Sequence, residues 1–172
     1  SKVLSVVAID PDPCNIIVVN KNISLNDFKN ISTYNFGLND KNEQLTFYRA
    51  NIANNGYSGF TDRISTDQFL IDVFSIDSLI YDKKILPKPT IIKIDTEGWE
   101  EKILLGAKKL LVLGLLRIII FEAKSLKDKS FTDFKKIEKN LKAFHYRITK
   151  SFNYNYVVHH IAVYGPENVT DV

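Results

Sequence analysis

Cysteine and methionine are nearly missing from this chain of 172 residues, which has one cysteine, Cys14, and no methionine. A single cysteine cannot form a disulfide within the chain, and this favours a reducing compartment, so we expect a cytoplasmic protein. Because the sequence starts at Ser1 and runs almost directly into an apolar stretch, we also expect that an upstream part of the protein is left out.

The sequence lacks any apolar run approaching the roughly 20 residues that a membrane-spanning helix needs. Its N-terminus does not have the charged and then apolar pattern of a signal peptide, so we expect a soluble protein with no membrane span. Lys and Arg are interleaved with Asp and Glu, and the net charge is only +3. Because nucleic-acid binding usually needs a concentrated basic face, the composition argues against nucleic acid as the main partner.

The residues that form phosphate loops or metal sites are few and poorly placed for either role. Gly56 and Gly59 are too isolated for a phosphate-binding loop and are typical of turns. His159 and His160 are adjacent on a predicted strand and should point to opposite faces, so they cannot bind one metal ion together. Cys14 has no obvious base beside it and fits a helix surface better than a nucleophile. The spacing demands no metal.

Residues 90–122 form the most regular part of the sequence and predict a strand, a helix and a second strand. The first apolar block ends at Asp95, and the second, residues 116–121, ends at Glu122. Parallel strands joined in this way have their carboxyl ends at one sheet edge, where open α/β folds bind ligands. We therefore expect Asp95 and Glu122 to meet there. Between them, the helix that Thr96 could cap has one apolar face, formed by Trp99, Ile103, Leu104, Ala107, Leu110 and Leu111.

The N-terminal part predicts a second strand and helix pair. Residues 3–9 are an apolar strand that ends at Asp10, and Asp12 can cap a helix with Pro13 at its first position. This helix is predicted to run to about Asn22. Its spacing predicts four buried side chains, which are Ile16, Ile17, Val19 and Ile23.

The remaining segments complete an alternating pattern in a single domain. Strands are predicted at residues 28–38, 44–50 and 69–74, with a short helical turn at 76–80. Ser130 and Asp133 form a capping box for a late helix, and two final strands are predicted at residues 146–149 and 156–164. The pattern predicts an α/β fold with a doubly wound, mostly parallel sheet and an antiparallel final strand.

Two strand-ending acids are the first candidates for chemistry. Asp10 stands where nucleotide-binding α/β folds hold ribose hydroxyls, because one carboxylate can accept hydrogen bonds from both; the alternative is a helix-capping or solvated turn residue. Asp95 is the strongest candidate, since a carboxylate at that edge can orient a cationic cofactor or accept a proton from a substrate hydroxyl.

Four glutamates lie near the same edge, and each is interpreted as a candidate for chemistry or as a surface charge. Glu122 groups with Asp95 at a strand end, and Glu97 could either take part in chemistry or be a surface charge that stabilises the helix start. Glu100 and Glu101 fit surface charges that stabilise the start of a helix.

Residues 93–107, KIDTEGWEEKILLGA, resemble the signature of the FkbM-type methyltransferases, a branch of the S-adenosylmethionine-dependent class I fold. Residues 8–13, AIDPDP, are similar to the family's second strand and helix, although the more usual acid there is Glu. Residues 35–40 and 75–79 resemble two further segments, so the similarity covers nearly the whole chain. The matching signature positions are Lys93, Ile94, Asp95, Glu97, Gly98, Glu100, Leu104, Gly106 and Ala107.

The resemblance implies a Rossmann-like fold and methyl transfer from S-adenosylmethionine to a hydroxyl of a sugar or small natural product. It implies that Asp10 binds the ribose and that the segment with Asn35, Gly37 and Leu38 approaches the adenine, with Gly37 in place of the commoner Ala. Asp95 would hold the cofactor's charged end or the acceptor hydroxyl. The other two catalytic candidates are Glu97 and Glu122.

One departure from the family pattern limits what residues 1–172 are expected to do. The family opens with a strand and a glycine-rich turn around the methionine end of the cofactor, whereas this sequence begins at the second strand. We therefore expect an N-terminally truncated domain, missing its first strand and helix, that binds S-adenosylmethionine weakly or not at all, with full binding expected of the intact protein.

Two other functions stay open at this point. A non-catalytic methyltransferase-like binding module that has lost cofactor binding is the main alternative. A nicotinamide-dependent oxidoreductase shares the ribose-binding acid but does not account for residues 93–107, and we rank it last.

Overall fold

A computed structural model describes residues 4–49, 58–60, 67–96, 98–122, 134–154 and 157–165. The helices in these ranges are α1 Pro13–Leu25, a π-helix at Ser78–Asp82, α2 Glu100–Leu105, α3 Lys108–Val112 and α4 Phe134–Ala143. The strands are β1 Val6–Ile9, β2 Ile31–Tyr34, β3 Gly37–Leu38, β4 Glu43–Tyr48, β5 Gln68–Phe74, β6 Ile91–Ile94, β7 Ile118–Glu122, β8 Tyr146–Tyr154 and β9 Val157–Tyr164.

These strands form three hydrogen-bonded sheets within the described residues. The strand β1 pairs with β2 in parallel, β5 lies between β3 and β4, and the largest sheet has the order β6-β7-β9-β8. In that sheet β6 and β7 are parallel, as predicted, and β9 runs antiparallel to both of its neighbours. The mixed α/β fold with antiparallel final strands is therefore confirmed, whereas the described strands are not joined into one sheet.

One face of the four-stranded sheet carries the hydrophobic core. Ile94, Phe121 and Ile119 project from this face, and each is buried. They pack against apolar side chains of α2, α3 and α4, among them Ile103, Leu104, Leu110, Leu111, Ile137 and Leu141. On the opposite face, at the amino end of β6, Ile91 is 56% exposed.

The helix predicted to start at Thr96 is instead two short helices that begin later. The residue at the N-cap of α2 is Trp99, and no side chain caps the helix there. Thr96 donates from its backbone N–H and its hydroxyl to one carboxylate oxygen of Glu100, over 3.1 and 3.0 Å. Glu100 was predicted to be a surface charge but is only 2% exposed. Residues 106–107 separate α2 from α3, and at this break Gly106 lies against the carbonyl oxygen of Asn39.

The capping of α1 follows the prediction, but its burial does not. The Asp12 side chain accepts from the backbone N–H of Cys14 over 2.8 Å, and Pro13 opens the helix. No residue of α1 is buried, and Ile17 is 67% exposed. The predicted burial is therefore wrong for Ile17 and is met only in part by Ile16, Val19 and Ile23, which are half-buried. Within the described residues α1 packs chiefly beside β2.

Two predicted strands differ from the structure in extent, and one predicted cap cannot be compared with it. The strand predicted at residues 28–38 is divided into β2 and β3, and β8 extends to Tyr154. Ser130 and Asp133, the predicted capping box, lie outside the described residues. No helix in the described ranges has the length and apolar character needed to cross a membrane.

We expect Gly106→Ala to destabilise the protein by at least about 2 kcal/mol, because the new Cβ would lie 2.0 Å from the backbone oxygen of Asn39. Gly59→Ala is the matched control, since a Cβ at Gly59 meets nothing within 4 Å, and it should stay within about 0.5 kcal/mol. Urea unfolding of both variants measures the difference, and equal midpoints would contradict the close approach.

Candidate active site

The parallel pairing of β6 and β7 places Asp95 and Glu122 side by side. Ile94 pairs with Phe121, so the next residue on each strand lies at the same carboxyl edge of the sheet. The two side chains hydrogen-bond to each other. The structure thus brings together the two acids that the sequence predicted to meet.

Lys93 holds Asp95 in its charged form. The Lys93 ammonium forms an ion pair with Asp95 from two residues earlier, on the same face of β6. Burial acts to raise the pKa of Asp95, but the hydrogen bond and charge of Lys93 outweigh it, with further lowering from Glu122 and from His159. The pKa of Asp95 therefore lies below its usual value, and Asp95 is an ionised anchor at neutral pH.

His159 lies beside these acids, and the sequence alone did not indicate it. It is directly opposite Glu122 in the antiparallel pair of β7 and β9, and directly opposite residues project from the same face. We call Asp95, Glu122 and His159 the acid–histidine row. The signal that could have found His159 is the register of the closing strands, which a single sequence does not supply.

The neighbouring histidine has a different environment. His160 is buried, its ring stacks on Phe134 with centroids 4.1 Å apart, and its Nδ1 lies 2.8 Å from the hydroxyl of Ser151. The prediction that the adjacent histidines face opposite sides of the strand is confirmed. In the described part of the chain, no group of three or more His, Cys, Asp or Glu side chains could hold a metal ion.

Asp10 follows β1 directly, and its carboxylate is held by two donors. One oxygen accepts from the backbone N–H of Asp12 over 2.7 Å, and the other accepts from the Asn15 amide over 3.1 Å. The Asn35 amide donates to the carbonyl oxygens of Asp10 and Pro11 over 3.0 and 2.9 Å. Burial raises the pKa of Asp10 despite these hydrogen bonds. The carboxylate is oriented and still has lone pairs for a ligand.

Asp12 and Arg49 form a clamp that fixes this loop to the rest of the molecule. Asp12 is 4% exposed and accepts from Nε and Nη2 of Arg49 over 2.7 and 2.8 Å. Arg49 also donates to Asp67 over 2.7 Å, and its guanidinium lies over the ring of Phe69. The hydrogen bonds from Arg49 hold the pKa of Asp12 below its usual value. The Asp10 loop is thereby tied to β4 and β5.

The other predicted site residues differ in where they lie and in what they contact. Gly37 has a structural role, because a Cβ there would lie 2.6 Å from Phe60 and 2.7 Å from Val73. Leu38 packs against the core, and the exposed Asn35 acts through the Asp10 loop. Glu97 lies outside the described residues. Asp10 and Asp95 belong to different hydrogen-bonded sheets, so their convergence on one cofactor stays a prediction.

Comparisons with known proteins agree on one family. Residues 2–148 match the family model described as Methyltransferase FkbM domain. The crystal structure of Methyltransferase FkbM from Methylobacillus flagellatus KT matches with a TM-score of 0.64 and 19% identity. The match covers 94% of this chain and 36% of that chain, so this chain spans about a third of that protein; at this identity the likeness shows the fold. No curated protein sequence matches this chain.

We expect Asp12→Asn to destabilise the protein by about 1–3 kcal/mol at pH 7, because it removes a charged acceptor from a largely buried pair. Since the pKa of Asp12 is lower in the folded than in the unfolded state, its contribution is full above the unfolded pKa. It is lost as the pH falls through the folded value. The difference from wild type should therefore shrink below about pH 4.

The control for this prediction is Asp72→Asn, which changes an exposed acid that accepts one hydrogen bond from Gln44. It should shift stability by less than about 0.5 kcal/mol. Denaturant unfolding of the three proteins between pH 2 and pH 7 provides the comparison. A wild-type to Asp12→Asn difference that stays constant across this range would contradict the role of the Asp12 charge.

Proposed function

This chain belongs to the Methyltransferase FkbM domain family, and we propose that it is the core of an S-adenosylmethionine-dependent O-methyltransferase. The methyl acceptor is a hydroxyl group of a sugar or a small natural product. The single exposed cysteine, Cys14, favours the reducing cytoplasm as the place of action. The observation that carries the proposal is the meeting of Asp95 and Glu122 at the carboxyl edge of adjacent parallel strands, within the segment that bears the family signature.

One set of residues is proposed to bind the nucleoside of the cofactor, and another to orient the reacting groups. When bound, the cofactor supplies a methyl group on a positively charged sulfur, and the carbon–sulfur electron pair stays on the sulfur. Asp10, oriented by Asp12 and Asn15, would accept hydrogen bonds from the ribose hydroxyls. Asp95 is ionised and can orient a positive charge or the acceptor hydroxyl. Holding the two reactants in line supplies most of the acceleration in such a displacement.

The described residues fit the nucleoside half of this cofactor better than its methionine half. Asp10 offers a fixed carboxylate with free lone pairs at the end of β1. A turn rich in glycine, which lets a backbone approach a ligand closely, does not follow β1 or β6 in the described ranges. Donors for the methionine carboxylate and amine must therefore come from another segment.

We assign that segment to a strand between β1 and β6. Within the described residues, β1 pairs only with β2 and β6 only with β7, and both pairs are parallel. Parallel strands are normally buried on both faces, yet Val6 in β1 is 40% exposed and Ile91 in β6 is 56% exposed. One more parallel strand would join the two sheets in the order β2-β1-x-β6-β7-β9-β8.

The joined sheet would be doubly wound, with Asp10 and Asp95 on either side of the added strand. Such folds bind ligands at the carboxyl ends of the strands where the strand order reverses. We propose that the added strand, its following helix and its turn correspond to the first strand, helix and glycine-rich turn that the family pattern implies. They would also cover the exposed apolar residues of α1, as a parallel sheet requires.

We expect residues 1–172 alone to bind S-adenosylmethionine weakly or not at all, and a protein extended by the upstream segment to bind at micromolar concentration. In the extended protein, Asp10→Ala should weaken binding at least about tenfold, because it removes a charged acceptor of hydrogen bonds. Isothermal titration calorimetry measures both. Micromolar binding by residues 1–172 alone would contradict the added strand.

In the extended protein, we expect Asp95→Ala to abolish most methyl transfer while the fold is kept, because Asp95 orients the reacting groups. The measurement is release of S-adenosylhomocysteine with a panel of hydroxylated acceptors, together with circular dichroism. Asp72→Ala, which removes an exposed acid on β5, is the control and should keep full activity. Undiminished turnover by Asp95→Ala would refute the assigned role. Cofactor binding without transfer to any acceptor would instead favour a non-catalytic binding module.

A further inference from the structure

We propose that His159 is the proton acceptor for the methyl acceptor's hydroxyl group, and that Asp95 and Glu122 position it and stabilise its charged form. This inference rests on the proposed function and adds to it the residue that removes the proton. It assigns to the closing strands, which carry no part of the family signature segment, a place in the site.

The geometry of the sheet places His159 at the reacting edge. The acid–histidine row runs across three neighbouring strands, β6, β7 and β9, at the end where Asp95 and Glu122 meet. All three side chains project from the face opposite Phe121 and His160, which face the core. A positive charge on His159 helps to lower the pKa of Asp95. A ligand at this edge would therefore meet an imidazole as well as two carboxyl groups.

The charges in the row leave the imidazole as the best base. Lys93 is ion-paired with Asp95 and lowers its pKa, which makes that carboxylate a weak proton acceptor. Glu122 lies beside Asp95 at the same sheet edge and is hydrogen-bonded to it. Histidine is the side chain that ordinarily changes charge between pH 5 and 8. On β8, the charged residues on the same face are Lys150, whose strand partner is Ile161, and Arg147, whose strand partner is Val163.

The proton balance of the step is simple. As the acceptor oxygen forms its bond to the methyl carbon, the carbon–sulfur bond would break with its electron pair left on the sulfur. The oxygen–hydrogen bond would break in the same step, and the proton would pass to a ring nitrogen of His159. The imidazole becomes an imidazolium, and the neighbouring negative charge of Asp95 stabilises it. The proton then leaves to water, which restores the neutral ring before the next turnover.

The test compares His159→Gln and His159→Ala with wild type in the extended protein. Loss of a general base typically costs about 10²–10⁴-fold in rate, so we expect kcat to fall by that factor while KM and cofactor affinity change less than about threefold. The acidic limb of the kcat–pH profile should disappear, because a general base acts only when deprotonated. Added imidazole should restore part of the rate of His159→Ala.

His145→Asn is the matched control. It removes an exposed imidazole from a turn, and Asn tolerates the positive φ of 64° found at that position. It should keep wild-type kcat and the wild-type pH profile. Unfolding midpoints of all variants separate a loss of chemistry from a loss of fold.

Each outcome decides one claim. If His159→Gln keeps the rate or its acidic limb, or if imidazole does not rescue His159→Ala, the inference is wrong and the proposed function stands. If the wild-type extended protein transfers no methyl group to any acceptor, the proposed function fails and the inference fails with it. Loss of rate with a lost acidic limb and rescue by imidazole supports both.

Discussion

The pairing of β7 with a parallel strand on one side and an antiparallel strand on the other is the constraint on which this molecule depends. Its core-facing residues Ile119 and Phe121 have no solvent exposure, so a register shift of one residue would turn them toward the solvent. The same register places Glu122 between Asp95 and His159. The hydrophobic core and the candidate chemistry are therefore determined by one set of backbone hydrogen bonds, because the two faces of β7 alternate.

The fold gives physical reasons for several residues of the family signature. Gly106 lets the turn between α2 and α3 approach the backbone of Asn39, where no other residue fits. Glu100 is buried and accepts two hydrogen bonds from Thr96, so it holds the loop that follows Asp95. Among the described signature residues, Gly106 and Glu100 thus act by positioning the loop, whereas Asp95 and its partner Lys93 lie at the candidate site.

The Asp10 loop is held by a different kind of interaction. An ion pair between the buried Asp12 and the half-buried Arg49 connects the start of α1 to the strands β4 and β5. Breaking one partner of such a pair leaves a charge without compensation. The clamp lets Asp10, which caps nothing in α1, keep a fixed carboxylate at the end of β1. The two halves of the candidate site are therefore stabilised separately, one by a clamp and one by strand register.

The sequence by itself determined the elements whose causes are local: apolar blocks that end at Asp95 and Glu122, the Asp12 cap of α1, and opposite faces for His159 and His160. The tertiary structure alone decided what depends on distant neighbours. It buried Glu100, divided the predicted helix at the contact of Gly106 with Asn39, left α1 without buried residues, and brought His159 opposite Glu122. Local spacing sets which face a side chain shares, but only the pairing of remote strands and the covering of a face determine what that side chain meets.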